Sequence, residues 1–150
     1  MIRITEDDFD VNDVIEPLKS EKVGAIVTFI GTVRDFSQIP ENDDSKKTIQ
    51  VKELIYESYE DMALEKMTEI REYARTNYNI NDMNLIHRKG TLKPSDQIVI
   101  IACSSAHRKE AFLACEYAIE ELKRIVPIWK KEVSVDGEYW VGEKKGKDER

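Results

Sequence analysis

The stretch ELKRIVPIWKKE, residues 121–132, sets Lys123, Arg124, Lys130 and Lys131 around Pro127 and Trp129, in a 150-residue chain whose formal net charge is -7. A lysine is a point charge on a flexible stem. Its pKa falls when it is desolvated or crowded by other cations, which makes it a base or nucleophile near neutral pH. The alternative is a solvated helix end, where cations face the negative end of the helix dipole, and for Arg124 that is the better account. A second cluster, SSAHR, places His107 and Arg108 at the start of a helical pattern. Unpaired backbone N–H groups at a helix N-terminus favour a phosphate or carboxylate, and Arg108 and His107 would add charge-assisted donors. An ordinary surface arginine is the alternative there.

Composition narrows the classes that such patches belong to. The chain has 30 acidic and 23 basic residues and a pI near 5.0, which argues against a general nucleic-acid or membrane-surface binder. Any anion site must be local. No apolar run approaches the roughly 20 residues that cross a bilayer, and the N-terminus MIRITEDDFD is acidic, so the expected location is the cytoplasm. The two cysteines, Cys103 and Cys115, lack the paired spacing of a zinc site and read as small core residues. No metal set, nucleophilic triad or glycine-rich phosphate loop is present.

The elements that must position these residues form an α+β pattern in one domain, residues 1–141, with a mixed or antiparallel sheet and packed helices. IRIT predicts a short edge strand, and DVNDVIEPLKS a short helix capped by Asp10 or Asn12 and started or bent by Pro17. AIVTFIGTVR reads as a strand, whereas DFSQIPENDDSKK, residues 35–47, reads as a mobile loop. IQVKELIYESY is a strand, followed by a helix with Ala63, Met67, Ile70 and Ala74 at helical spacing. NLIHRKG predicts a short strand with His87 at its surface or end, and QIVIIAC a buried strand. The next helix carries an apolar stripe of Ala111, Phe112, Cys115, Ala118, Ile119 and Leu122, with Ser104 or Ser105 as N-cap and Pro127 as its stop. IWKKEVSV and EYWV around Asp136 and Gly137 predict a hairpin, and GEKKGKDER, residues 142–150, a charged, disordered tail.

TFIGTVR, HRKGTL, SSAHRKEAFLACEYAIEELK, PIWKKE and GEYWV, in that order and covering the chain from about Gly24 to Val141, resemble the catalytic (large) subunit of molybdopterin synthase. The resemblance implies an α/β-hammerhead type of fold. It implies conversion of a cyclic pyranopterin monophosphate to molybdopterin by insertion of two sulfurs. The sulfur would arrive as the C-terminal thiocarboxylate of a small ubiquitin-like partner with a Gly-Gly tail, with no cofactor and no metal on this chain. A homodimer at the centre of a heterotetramer is implied as well. By motif, Lys123 and Lys130 match the catalytic lysines. Arg34, with Thr32 and Val33 beside it, matches the substrate-binding segment; His107 and Arg108 match a substrate-contact pair, and Lys131 and Glu132 follow Lys130 in the pocket motif. Two other readings compete: a non-catalytic phosphometabolite sensor, and a persulfide carrier at Cys103 or Cys115.

Geometry constrains how these residues share a site. Arg108 and Lys123 lie 15 positions apart on one expected helix, which separates their Cα atoms by roughly 22 Å. If both serve one pterin phosphate, His107 and Arg108 must come from a second copy of the chain, with two equivalent sites across a dimer interface.

Overall fold

The computed structural model describes residues 1–135 and 137–141, so Asp136 in the expected hairpin and the expected tail, residues 142–150, lie outside the described residues. The elements run β1 (Ile2–Thr5), α1 (Val11–Ile15) with a 3₁₀ turn (Glu16–Leu18), β2 (Ala25–Thr32), β3 (Phe36–Asn42), β4 (Ser45–Ser58) and α2 (Glu60–Asn77). They continue with β5 (Asp82–Arg88), β6 (Gly90–Leu92), β7 (Gln97–Ser105), α3 (Arg108–Ile125), β8 (Ile128–Ser134) and β9 (Gly137–Val141). The fold is α+β, as expected.

Two sheets divide the strands. One has the order β1-β5-β7-β2, with β1 parallel to β5 and the remaining pairs antiparallel. The other has the order β3-β4-β8-β9, with β6 also on β4, and is antiparallel throughout. In the first sheet β5 and β7 are covered on both faces, so nearly every residue of each is buried, and β7 carries the apolar run QIVIIAC. Met83, Leu85, Ile101 and Cys103 face the main core beneath α2 and α3, while Ile86, Ile100 and Ala102 meet Phe9, Val14 and Leu18 on the other side. α1 starts at an Asp10 cap whose carboxylate accepts the Asn12 N–H at 2.8 Å, and Pro17 falls in the 3₁₀ turn.

Three expectations need correcting. Residues 35–47 are not a loop: they fold as β3, the turn, and the start of β4, paired from Phe36 with Gln50 to Asn42 with Ser45. Most side chains of this hairpin are exposed, so its polar composition reported solvent and not backbone conformation. Pro40 is accommodated because β3 is an edge strand. Second, neither Ser104 nor Ser105 caps α3. Both belong to β7; the cap is His107, without a side-chain cap bond, and Ser105 Oγ accepts the His107 N–H at 3.4 Å. Third, the buried stripe of α3 is Ala111, Ala114, Cys115, Ala118 and Leu122, whereas Phe112 is 60% exposed. Ala residues let α3 approach the sheet closely, and Phe112 lies one position off that seam.

The buried faces of α2 and α3 predict a contrast in stability. Met67→Ala, at a position with no exposure, is expected to cost about 2–5 kcal/mol, and Phe112→Ala to stay within about 0.5 kcal/mol of the parent. Urea unfolding midpoints with unchanged slopes check both.

Candidate active site

α3 leaves the helical conformation at Val126, directly before Pro127, and the chain reverses into β8. β8 pairs antiparallel with β4, setting Lys130 opposite Tyr56 and Glu132 opposite Leu54. Because side chains alternate along a strand, Ile128, Lys130 and Glu132 share one face with Leu54 and Tyr56 of β4. That face forms one wall of a cavity of about 750 Å³. Phe29, Gly31, Thr32 and Arg34 line it from β2 and the segment that follows; Ile119, Leu122 and Lys123 close it from the last turns of α3. The hairpin contributes Phe36, Ser37, Gln38 and Lys46, and β5 contributes His87.

The cavity gathers cations in an acidic chain. Arg34, Lys46 and Lys123 are exposed at its rim, and the Arg34 guanidinium stacks over the Phe36 ring at 5.1 Å. Lys130 is more deeply set. Burial lowers its pKa below 10.5; Glu132 opposes that shift, and the charges of Lys123 and Arg34 add to it. Glu132 is itself 5% exposed, and its Oε1 accepts a hydrogen bond from Ser37 Oγ at 3.1 Å. Burial and the Glu132 charge both push the Tyr56 phenol up, so it stays protonated. The Tyr56 ring meets the His87 ring edge-on, with centroids 5.1 Å apart, and His87 is only 4% exposed. A lysine whose ammonium form is disfavoured by burial, beside other cations and a buried carboxylate, equips the cavity to hold an anion and to exchange protons with it.

The cavity thus brings together Thr32, Arg34, Lys123, Lys130 and Glu132 of the residues singled out from the sequence. It does not bring the others. Val33 is buried in the core, its N–H donating to Asp96 O. Lys131 points to the opposite face of β8, pairs with Glu138 at 3.1 Å and sits over the Trp140 ring at 5.3 Å. His107 and Arg108 are exposed at the far end of α3, which is one 18-residue helix, so the separation read from the sequence stands. Arg124 is surface, as expected, bound to Glu121 at 2.9 and 3.1 Å.

Lys46, His87 and Tyr56 line the cavity as well, and none of them was singled out as a site residue from the sequence. His87 stands at a strand end, one of the two expected alternatives, but not at the surface: it shares a strand face with Leu85 and Met83 and is buried. The alternation Met83, Leu85, His87 was its only signal. Tyr56 could be found only from the register of β4 on β8. Among the described residues, no cluster of three or more His, Cys, Asp or Glu is placed to hold a metal ion, and no helix is long and apolar enough to cross a membrane. Cys103 and Cys115 are both buried.

Comparison with known proteins gives one answer throughout. A family model described as MoaE protein matches residues 4–125. A Pyrococcus abyssi protein named molybdopterin synthase catalytic subunit is 38% identical over 135 residues, covering 90% of this chain and 85% of its own. A Bacillus subtilis protein of the same name is 39% identical over 140 residues, with 93% and 83% covered. The crystal structure of molybdopterin synthase from Staphylococcus aureus superposes with a TM-score of 0.83 at 38% identity, over 93% of this chain and 95% of that one.

The electrostatics predict a measurable titration. Lys130, followed by NMR of methyl-labelled lysines, is expected to lose its proton below 10.5, and Glu132→Gln to lower that midpoint further by removing the one attraction that raises it. Since the folded pKa is depressed, the associated stability is present above 10.5 and lost as pH falls through the folded value. A Lys130 midpoint unchanged in Glu132→Gln contradicts this arrangement.

Proposed function

The chain belongs to the family of MoaE proteins, and from that premise we propose that it is the catalytic subunit of a molybdopterin synthase in molybdenum cofactor biosynthesis. It converts the cyclic pyranopterin monophosphate to molybdopterin with sulfur from the C-terminal thiocarboxylate of a small ubiquitin-like subunit ending in Gly-Gly. The observation that carries this reading is the cationic cavity in which Arg34, Lys123 and Lys130 converge above the buried Glu132.

Each group has a task that follows from its place. Arg34 and Lys46 at the rim hold the phosphate, and hold it better once ring opening leaves a more highly charged monoester. Lys123, exposed at the end of α3, meets the incoming thiocarboxylate and neutralises charge that develops as its sulfur bonds to a substrate carbon. The product of that bond formation is a thioester between the partner's tail and the substrate, which water then cleaves. Lys130 exchanges protons as C–O bonds give way to C–S bonds, with Glu132 holding its ammonium in place. Thr32 borders the same volume. The sulfur travels with the partner, so the proposal assigns this chain no resident cofactor or metal, and places it in the cytoplasm.

The length of α3 bears on assembly. His107 and Arg108 stand about 22 Å from Lys123 along one helix axis, so in a homodimer each cavity receives this pair from the other copy. A heterotetramer then forms by addition of one small subunit per site. A phosphometabolite sensor would use the rim cations but has no use for a depressed lysine. A persulfide carrier is disfavoured by the burial of both thiols.

Two outcomes check the proposal. Lys123→Ala is expected to fold normally, because the side chain is exposed, and to lose product formation by ~10²-fold or more with a thiocarboxylated small subunit. Mixing Lys123→Ala with Arg108→Ala protomers is expected to restore up to about a quarter of the parental rate, since each mixed dimer rebuilds one intact site. Molybdopterin formation without the small subunit, or no recovery on mixing, counts against the respective part.

A further inference from the structure

The hydrogen-bond donors that line the cavity differ in what already occupies them. Arg34, Lys46, Lys123 and Lys130 carry positive charge and are drawn first to the phosphate and the thiocarboxylate. Among the neutral donors, Thr32 and Gln38 are exposed, and Ser37 spends its hydroxyl on Glu132 at 3.1 Å. Tyr56 is different. It is 9% exposed, it lines the cavity, and its hydroxyl makes no hydrogen bond to another described residue. A hydroxyl so placed gives up water when the cavity fills, and is satisfied only by an acceptor on whatever fills it. Its place is fixed from both sides. At Tyr56, β4 pairs with Lys130 of β8 and with Gly90 of β6, and the Tyr56 ring packs edge-on to that of His87 with centroids 5.1 Å apart. Burial and the Glu132 charge keep the phenol protonated, so it is available as a donor.

Resting on the reading given under Proposed function, we propose that Tyr56 is a further catalytic residue, the neutral donor to the carbonyl oxygen of the thioester that joins the small subunit's tail to the substrate. Its bond strengthens as water attacks and that oxygen becomes an oxyanion. The step balances without an oxidant or reductant. Water oxygen bonds to the acyl carbon, the carbonyl electron pair moves onto oxygen, and one water proton passes to Lys130 in its amine form. The oxyanion then collapses: the carbonyl re-forms, the acyl carbon–sulfur bond breaks, and the electron pair leaves with sulfur, which stays on the substrate carbon as a thiolate. The tail departs as a carboxylic acid. Tyr56 keeps its own proton throughout. The cations have other work in this step, Arg34 and Lys46 on the phosphate, Lys123 on the sulfur and Lys130 on the water proton. That leaves the carbonyl oxygen to a donor that neither anion captures beforehand. A phenol held between two paired strands is already in place when the charge appears, so little is lost in orienting it.

The test uses single turnovers of the parent protein with the thiocarboxylated small subunit and the cyclic pterin monophosphate, with adduct and product followed by mass spectrometry. Absence of product with the parent protein would refute the functional reading itself, and with it the basis of this role. Given a working parent, Tyr56→Phe keeps the ring and its packing and removes only the hydroxyl. It is expected to form the thioester adduct at the parental rate, to cleave it ~10²–10³-fold more slowly, and so to accumulate it. Because the hydroxyl has no hydrogen-bond partner among the described residues, the urea unfolding midpoint of Tyr56→Phe is expected to be no lower than the parent's. A second set of proteins retains the hydroxyl. Fluorinated tyrosines of increasing acidity are placed at position 56, and ¹⁹F NMR confirms that each phenol is un-ionised at the working pH. Cleavage is expected to quicken as the phenol becomes a stronger donor, a trend that a packing role would not produce. Thioester cleavage by Tyr56→Phe within a few-fold of the parent, a lowered unfolding midpoint, or a cleavage rate indifferent to phenol acidity overturns the proposal.

Discussion

The pairing of β8 with β4 is the constraint on which the site depends. Proline at 127 ends α3 and aims the chain back along β4, and the register then decides which half of the sequence IWKKE faces the cavity. A slip of one residue would present Trp129, Lys131 and Val133 in place of Ile128, Lys130 and Glu132. What holds the register is burial on one face only. Ile128, Leu54, Tyr56 and Glu132 are all under a tenth exposed, whereas Lys131 and Trp140 on the other face are satisfied by each other and by Glu138.

That arrangement opposes stability and chemistry within a few ångströms. The half-buried Lys130 ammonium and the buried Glu132 carboxylate each lose hydration, and their mutual attraction offsets only part of the loss. The structure meets the remainder elsewhere. α2 and α3 seal one face of the first sheet with residues such as Met67, Ile70 and Ala118 that have at most 1% exposure, and α1 seals the other. The site lies beyond the edge of that double-faced core, where the two sheets meet and a void can persist without disturbing the helices.

Much of this was legible in the sequence, for identifiable reasons. β7 and α2 have strong apolar periodicities, and Pro127 is an unambiguous stop, so the buried strand, the long helix and the end of α3 were read correctly. Lys123, Lys130 and Glu132 followed from the family motifs that the sequence resembles. Lys131 was misplaced because adjacent residues on a strand point to opposite sides, and neither the strand assignment nor the motif says which of two lysines faces inward. His87 was rightly placed at a strand end, but its surface alternative took polarity as exposure. The same inference failed over residues 35–47, where backbone pairing forms a strand that buries almost nothing. Tyr56 depends on a contact between residues 74 positions from Lys130, which no local pattern encodes.

The exposed hairpin of β3 and β4 has an implication for how such a site can change over evolutionary time. It supplies Phe36, Ser37, Gln38 and Lys46 to the cavity, yet contributes little to either core cluster. Substitutions there escape the packing restrictions that govern β7 or α3. One wall of the cavity is therefore free to diverge in charge and shape while the lysines opposite it stay fixed, so selection can retune partner or substrate preference without renegotiating the fold.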